Sequence, residues 1–109
     1  MAFTVTKSGS PGPITDQVAL GGTAGNVTRV TFPRWAREIS VRIFASDNTT
    51  PSAGFVSHSG TDGAAYNADA VRLEESVPFM VNSSPGAHAV VLYIAGDGAN
   101  DVAHVTVGA

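Results

Sequence analysis

Apolar and polar positions alternate with a period of two along much of the chain, the pattern of a strand with one face buried. The clearest case is Arg37–Ala45, where Ile39, Val41 and Ile43 alternate with Glu38, Ser40 and Arg42. Val27–Phe32 places Val30 and Phe32 on one face and Arg29 and Thr31 on the other. Val77–Asn82 groups Val77, Phe79 and Val81, and Asp101–Val107 groups Val105 and Val107. Ala87–Ala95 is apolar on both faces over its second half, with Val90, Leu92 and Ile94 against Val91 and Tyr93, which suits a central strand covered on both sides. Shorter alternations predict further strands at Phe3–Thr6, Thr15–Leu20 and Phe55–Ser59.

Clusters of turn-forming residues separate these segments, at Ser8–Pro13, Gly21–Asn26, Asp47–Gly54, Gly60–Gly63, Asn82–Gly86 and Gly96–Asn100. Their spacing predicts an all-β protein, an antiparallel β-sandwich of seven to eight short strands in either jelly-roll-like or immunoglobulin-like order. Ala64–Glu75 has no Gly or Pro and could form a short helix; a loop followed by a strand at Val71–Glu74 is the preferred reading. Residues 1–13 read as an N-terminal arm, because Ser-Gly-Ser-Pro-Gly-Pro cannot sit in a ladder. Residues 14–109 then form a single sandwich domain. Gly96-Asp97-Gly98-Ala99-Asn100 predicts a hairpin between the last two strands. That hairpin would set His104 opposite residues 91–93 and about four residues from His88, roughly 13 Å away and too far to share a metal ion.

Composition narrows the function classes. The chain has 109 residues, of which 43% are hydrophobic and only 14% charged, so it has the material for a core and does not read as disordered. A net charge of −3 argues against a nucleic-acid-binding protein, which needs many Lys and Arg contacts to phosphate. There are no cysteines, hence no disulfide framework, Cys-based zinc site or thiol nucleophile. The start lacks the pattern of a signal peptide and the longest apolar run, Ala89–Ala95, is too short for a membrane helix, so no membrane partner is expected and the cytoplasm is the expected place of synthesis. The Asp-rich turns at 59–63 and 96–101 lack the spacing and closing Glu of an EF-hand, and turn chemistry accounts for them without an ion. Adjacent Glu74 and Glu75 would face opposite ways if extended, unlike the facing acids of a glycosidase. No motif of a known catalytic class is present; the expectation is a non-enzymatic protein with no cofactor and no metal.

The charge that is present is unevenly placed. Four of six basic residues are arginines between positions 29 and 42, namely Arg29, Arg34, Arg37 and Arg42, and the single tryptophan, Trp35, lies among them. Arg and Trp are enriched at binding hot spots, so this segment is a candidate partner interface, although Trp35 capping the core beside solvated arginines would explain it too. The remaining surface is dominated by Ser, Thr, Ala and Gly, which costs little to desolvate and suits a protein packed against others, itself included. The arm, with Phe3 and Val5, could add a strand to a neighbouring subunit.

Four runs carry a family resemblance: Val30–Phe44, Val56–Gly63, and the closing pair Val91–Ala95 and Val102–Val107. In length, strand order and texture over residues 27–107 the chain resembles small all-β virion proteins of tailed bacteriophages, most of all the capsid decoration (cement) proteins. The resemblance implies a late structural protein on the capsid exterior, made in the host cytoplasm. It implies binding to the major capsid protein and self-association, with a homotrimer as the expected order, and it carries over no catalytic residues. Two alternatives stand beside it. One is a head–tail connector, tail or fibre-base subunit. The other is a carbohydrate-binding β-sandwich module, which would need exposed aromatics from a chain with eight in all.

Overall fold

The structure, a computed structural model, describes residues 3–4, 14–82 and 89–108. Among these residues there is no helix and there are ten strands: β1 (Phe3–Thr4), β2 (Ile14–Ala19), β3 (Thr28–Thr31), β4 (Glu38–Phe44), β5 (Pro51–Ser52), β6 (Gly54–Ser57), β7 (Val71–Leu73), β8 (Phe79–Asn82), β9 (Val91–Gly96) and β10 (Val102–Gly108). They make two sheets. Sheet I runs β1-β3-β9-β6-β7 and sheet II runs β2-β10-β4, with β8 and β5 sharing the far edge of β4. All pairings are antiparallel except β1 with β3, where Phe3 and Thr4 lie parallel to Val30 and Thr31.

Setting aside the two-residue strands β1 and β5, the sheets read β2-β10-β4-β8 against β3-β9-β6-β7. The chain changes sheet at each step except β4 to β5 and β6 to β7. This is the strand order of a jelly roll, and it separates the two sandwich topologies that local alternation leaves open. The core lies between the sheets. Val30, Leu92, Ile94 and Val56 from sheet I meet Val18, Ile39, Val41, Val105 and Val107 from sheet II, all fully buried. Each such side chain contributes about 1.5–3 kcal/mol by leaving water.

Most predicted strands form. The burial of β4 alternates residue by residue as its sequence predicts, and β9 is a central strand flanked by β3 and β6. Ala64–Glu75 is loop followed by β7. Val77 does not share a strand face with Phe79 and Val81. It precedes β8 in a turn and is 55% exposed, and Pro78 next to it offers no N–H to a ladder. Val5 and His88 lie outside the described residues.

The predicted final hairpin is absent. β9 and β10 are consecutive but belong to different sheets, and residues 97–101 form an arch between them. Asp101 is the physical reason. It is buried, and its carboxylate accepts hydrogen bonds from Ser52 Oγ (2.8 Å) and from the Gly98 amide (2.9 Å). Backbone bonds from Leu20 N to Asp101 O (3.0 Å) and from Asn100 N to Gly21 O (2.8 Å) tie the arch to the end of β2. Gly96 leaves room for this side chain, since a Cβ there would lie 2.6 Å from Asp101 Cβ.

Candidate interaction surface

The two outer faces of the sandwich differ in what covers them. On sheet I, the β6–β7 loop crosses the face and returns. Gly60 lies against the Tyr93 ring, and residues 62–65 run beside 25–29 through Val27 N to Ala64 O (2.8 Å), Gly63 N to Val27 O (2.9 Å) and Arg29 N to Asp62 Oδ1 (2.9 Å). The Arg29 amide holds the Asp62 carboxyl below its ordinary value. On the way back Tyr66 stacks on Phe55, with centroids 4.0 Å apart and planes at 15°. The Arg72 guanidinium lies 5.1 Å over the same Phe55 ring and grips Asp97 with two bonds of 2.8 and 2.7 Å. That bidentate bond raises the pKa of Arg72. The acidic side chains of the 96–101 turn are thus committed to protein donors, Asp97 to Arg72 and Asp101 to Ser52 and Gly98.

Sheet II is open. Its outward positions are Thr15, Gln17 and Ala19 on β2; Val102, His104, Thr106 and Gly108 on β10; Glu38, Ser40, Arg42 and Phe44 on β4; and Met80 and Asn82 on β8. Glu38 is the one carboxylate and Arg42 the one guanidinium among them, and neither has an ion-pair partner among the described residues. A shallow groove of about 470 Å³ runs along this face, bordered by Glu38, Ser40, Arg42, Pro78, Met80 and Thr106. Met80 is 59% exposed beside it. At one end His104 stacks on Phe44 at 4.1 Å and meets Asn48 Oδ1 through Nε2, while Arg42 lies 5.2 Å over the Phe44 ring. Burial, aided by the Arg42 charge, holds the His104 imidazole below its ordinary value. His104 registers with Arg42 and Gln17 rather than with residues 91–93, a direct consequence of the arch replacing the hairpin.

Two of the edge strands are guarded. β7 is three residues long and carries Arg72, and the edge strand β2 carries Asp16 at an inward-facing position, two residues before the buried Val18. A charge pointing inward on an edge strand disfavours the addition of another strand.

The predicted arginine cluster is dispersed. Phe32 and Pro33 turn the chain out of sheet I, so Arg29 lies on the outer face of β3 and Arg42 on the outer face of β4, on opposite sides of the sandwich. Arg34 and Arg37 are exposed on the connection at one end, where the Arg37 amide donates to Gly108 O (2.9 Å). Trp35 is half-buried against the core, and Ala36 beside it is buried. The backbone of Phe3 adds to the edge of sheet I within this chain. The open face of sheet II is not singled out by the sequence, though a signal for it exists in β4, where the outward residues Glu38, Ser40 and Arg42 have a small polar centre flanked by opposite charges.

Among the described residues no group of three or more His, Asp or Glu side chains is placed to hold a metal ion. A second concavity, about 120 Å³ between residues 20–28 and Gly63, is too small for a drug-sized ligand. Compared with known proteins, the chain matches no family model, no curated protein and no solved structure.

Proposed function

We propose that this chain is a non-enzymatic structural protein of a phage virion, one that decorates the capsid and reinforces it by self-association and by bridging capsid subunits. The observation that carries the reading is the open outer face of sheet II. It is a broad sheet surface with one acid and one base, an exposed Met80 and a shallow groove. Such a face is inexpensive to desolvate, which suits cover by another protein. The jelly-roll order supports the same reading, since that architecture recurs in viral shells.

In this reading many modest contacts, repeated by symmetry, stabilise a shell against pressure from within. Arg34 and Arg37, both exposed at one end of the sandwich, are the side chains assigned to the major capsid protein. Co-sedimentation with undecorated capsids of the source phage tests the proposal. Wild-type protein is expected to pellet with the capsids, and the double substitution Arg34→Glu, Arg37→Glu to reduce its binding at least ten-fold. Absence of wild-type protein from the pellet overturns the reading, and labelling at the tail rather than over the head moves the protein to a connector or tail site.

A further inference from the structure

We infer that the open face of sheet II docks a second copy of this chain, related by a two-fold axis lying in the contact plane along the row of Ser40, Thr106 and Met80. The inference rests on the reading that this face is covered by protein, and it names that protein.

Register sets the arrangement of this face, which four rows cross. Glu38, Gly108 and Asn82 form one; Ser40, Thr106, Met80 and Thr15 form the next; Arg42, His104 and Gln17 form the third; Phe44, Val102 and Ala19 form the last. Neighbouring rows on the same face are two residues apart, about 7 Å along the strand. A two-fold axis along the Ser40 row exchanges the two rows that flank it and leaves the Phe44 row beyond the overlap. Each Arg42 then meets Glu38 of the other copy, which gives two ion pairs from two side chains that have no ion-pair partner among the described residues of the chain alone. Each His104 comes opposite Gly108 of the other copy. The Ser40 row meets itself, with Ser40 and Thr106 facing their counterparts across the groove and the exposed Met80 beside its symmetry mate. Opposite charge on opposite charge is the complementarity an isologous contact requires.

Two competing routes to self-association are obstructed. The loop 58–70 covers the outer face of sheet I, and Asp16 guards the β2 edge. The size of the face sets the strength. Four strands spaced about 4.8 Å apart and some six residues long make a patch roughly 20 Å by 20 Å, about half of the ~800 Å² per partner of a standard stable interface. The contact is therefore weak between two free molecules and gains its effect when the chains are held at high local concentration on a shell.

Sedimentation equilibrium over a concentration series tests the inference on wild type, Glu38→Arg, Arg42→Glu and the double exchange. Wild type is expected to move from monomer to dimer mass. Each single substitution is expected to raise the dissociation constant about ten-fold or more, and the double exchange to restore it to within about three-fold of wild type. In parallel, concentration-dependent amide shifts are expected to centre on Glu38–Arg42, Met80 and Thr106. Both charged positions are exposed on the sheet surface, so the variants are expected to keep the wild-type circular dichroism; should either fail to fold, the amide shifts of the wild type decide alone. A monomer at every concentration, a trimer, an unrestored double exchange, or shifts centred on sheet I or the β2 edge overturns the inference. A monomer that still pellets with capsids removes the two-fold contact and leaves the decoration reading standing; a dimer that never pellets does the reverse.

Discussion

Replacing Asp101 by alanine tests whether one buried carboxylate sends the chain across the sandwich instead of back along its own sheet. In the native arch that side chain takes a hydrogen bond from Ser52 Oγ at 2.8 Å and another from the Gly98 amide at 2.9 Å, and Asp101 is 2% exposed. A hydrogen bond to a charged acceptor contributes roughly 1.5–3 kcal/mol, and an orphaned donor costs part of that again if it cannot reach water. Ser52 and Gly98 are half-buried, so some hydration is regained. The expected loss is about 2–4 kcal/mol, a large share of the ~5–15 kcal/mol that holds a small domain together. In melting temperature this is on the order of 10–25 °C. Urea unfolding followed by fluorescence suits the measurement, because Trp35 is the single tryptophan and packs against the core. Ser52→Ala is expected to cost about 1 kcal/mol alone and almost nothing once Asp101 is alanine, so the double-mutant cycle reads their coupling directly. A loss below about 0.5 kcal/mol for Asp101→Ala, with no coupling to Ser52, would refute the assignment of Asp101 as the pin.

Gly54→Ala is expected to cost about 3 kcal/mol or more in the same titration, because the new Cβ would collide with the Ala95 carbonyl oxygen and lie 2.6 Å from Ile43 Cδ1; a loss under about 1 kcal/mol would show that the β6–β9 ladder yields easily. Acid is expected to weaken the fold in two steps, readable by urea midpoints against pH. His104 has a folded value below its unfolded 6.5, so its contribution is complete above that pH and declines as pH falls beneath it, where protonation would set a second charge beside Arg42 and disturb the stack on Phe44 and the bond to Asn48. Asp47, lowered from 3.8 to about 2 chiefly by the Thr50 hydroxyl, then by the Thr50 and Thr49 amides, contributes above 3.8 and loses that contribution as pH falls through about 2. His104→Gln is expected to flatten the first step and leave the second; a first step of unchanged size would assign it elsewhere.

Much of the architecture is legible in the order of the amino acids. Alternation along Glu38–Phe44 places Ile39, Val41 and Ile43 in the core, and the doubly apolar run at Val91–Ala95 marks a central strand. These features depend on the two-residue repeat of a strand and on the hydrophobic effect, both of which act on neighbouring residues. The arginine segment reads as one surface and does not form one, for a related reason. Closeness in sequence is not closeness in space, and the turn after Phe32 carries Arg29 and Arg42 to opposite faces. The Arg72–Phe55–Tyr66 stack leaves no local signal because it depends on β6 pairing with β7 and on a loop that crosses the sheet and returns.

By itself the sequence determined roughly where the longer strands lie and which side of each is apolar, since steric alternation and turn chemistry are local. Tertiary structure alone decided which strands became neighbours. The glycine-rich turn at 96–100 could serve a hairpin or an arch equally well, and the choice fell to a carboxylate that takes one donor from its own turn, Gly98, and reaches the other, Ser52, only when the chain crosses to the other sheet. The open face of sheet II follows from that same crossing. β10 lies between β2 and β4 instead of beside β9, and only there do Glu38, Thr106, His104 and Arg42 share one surface.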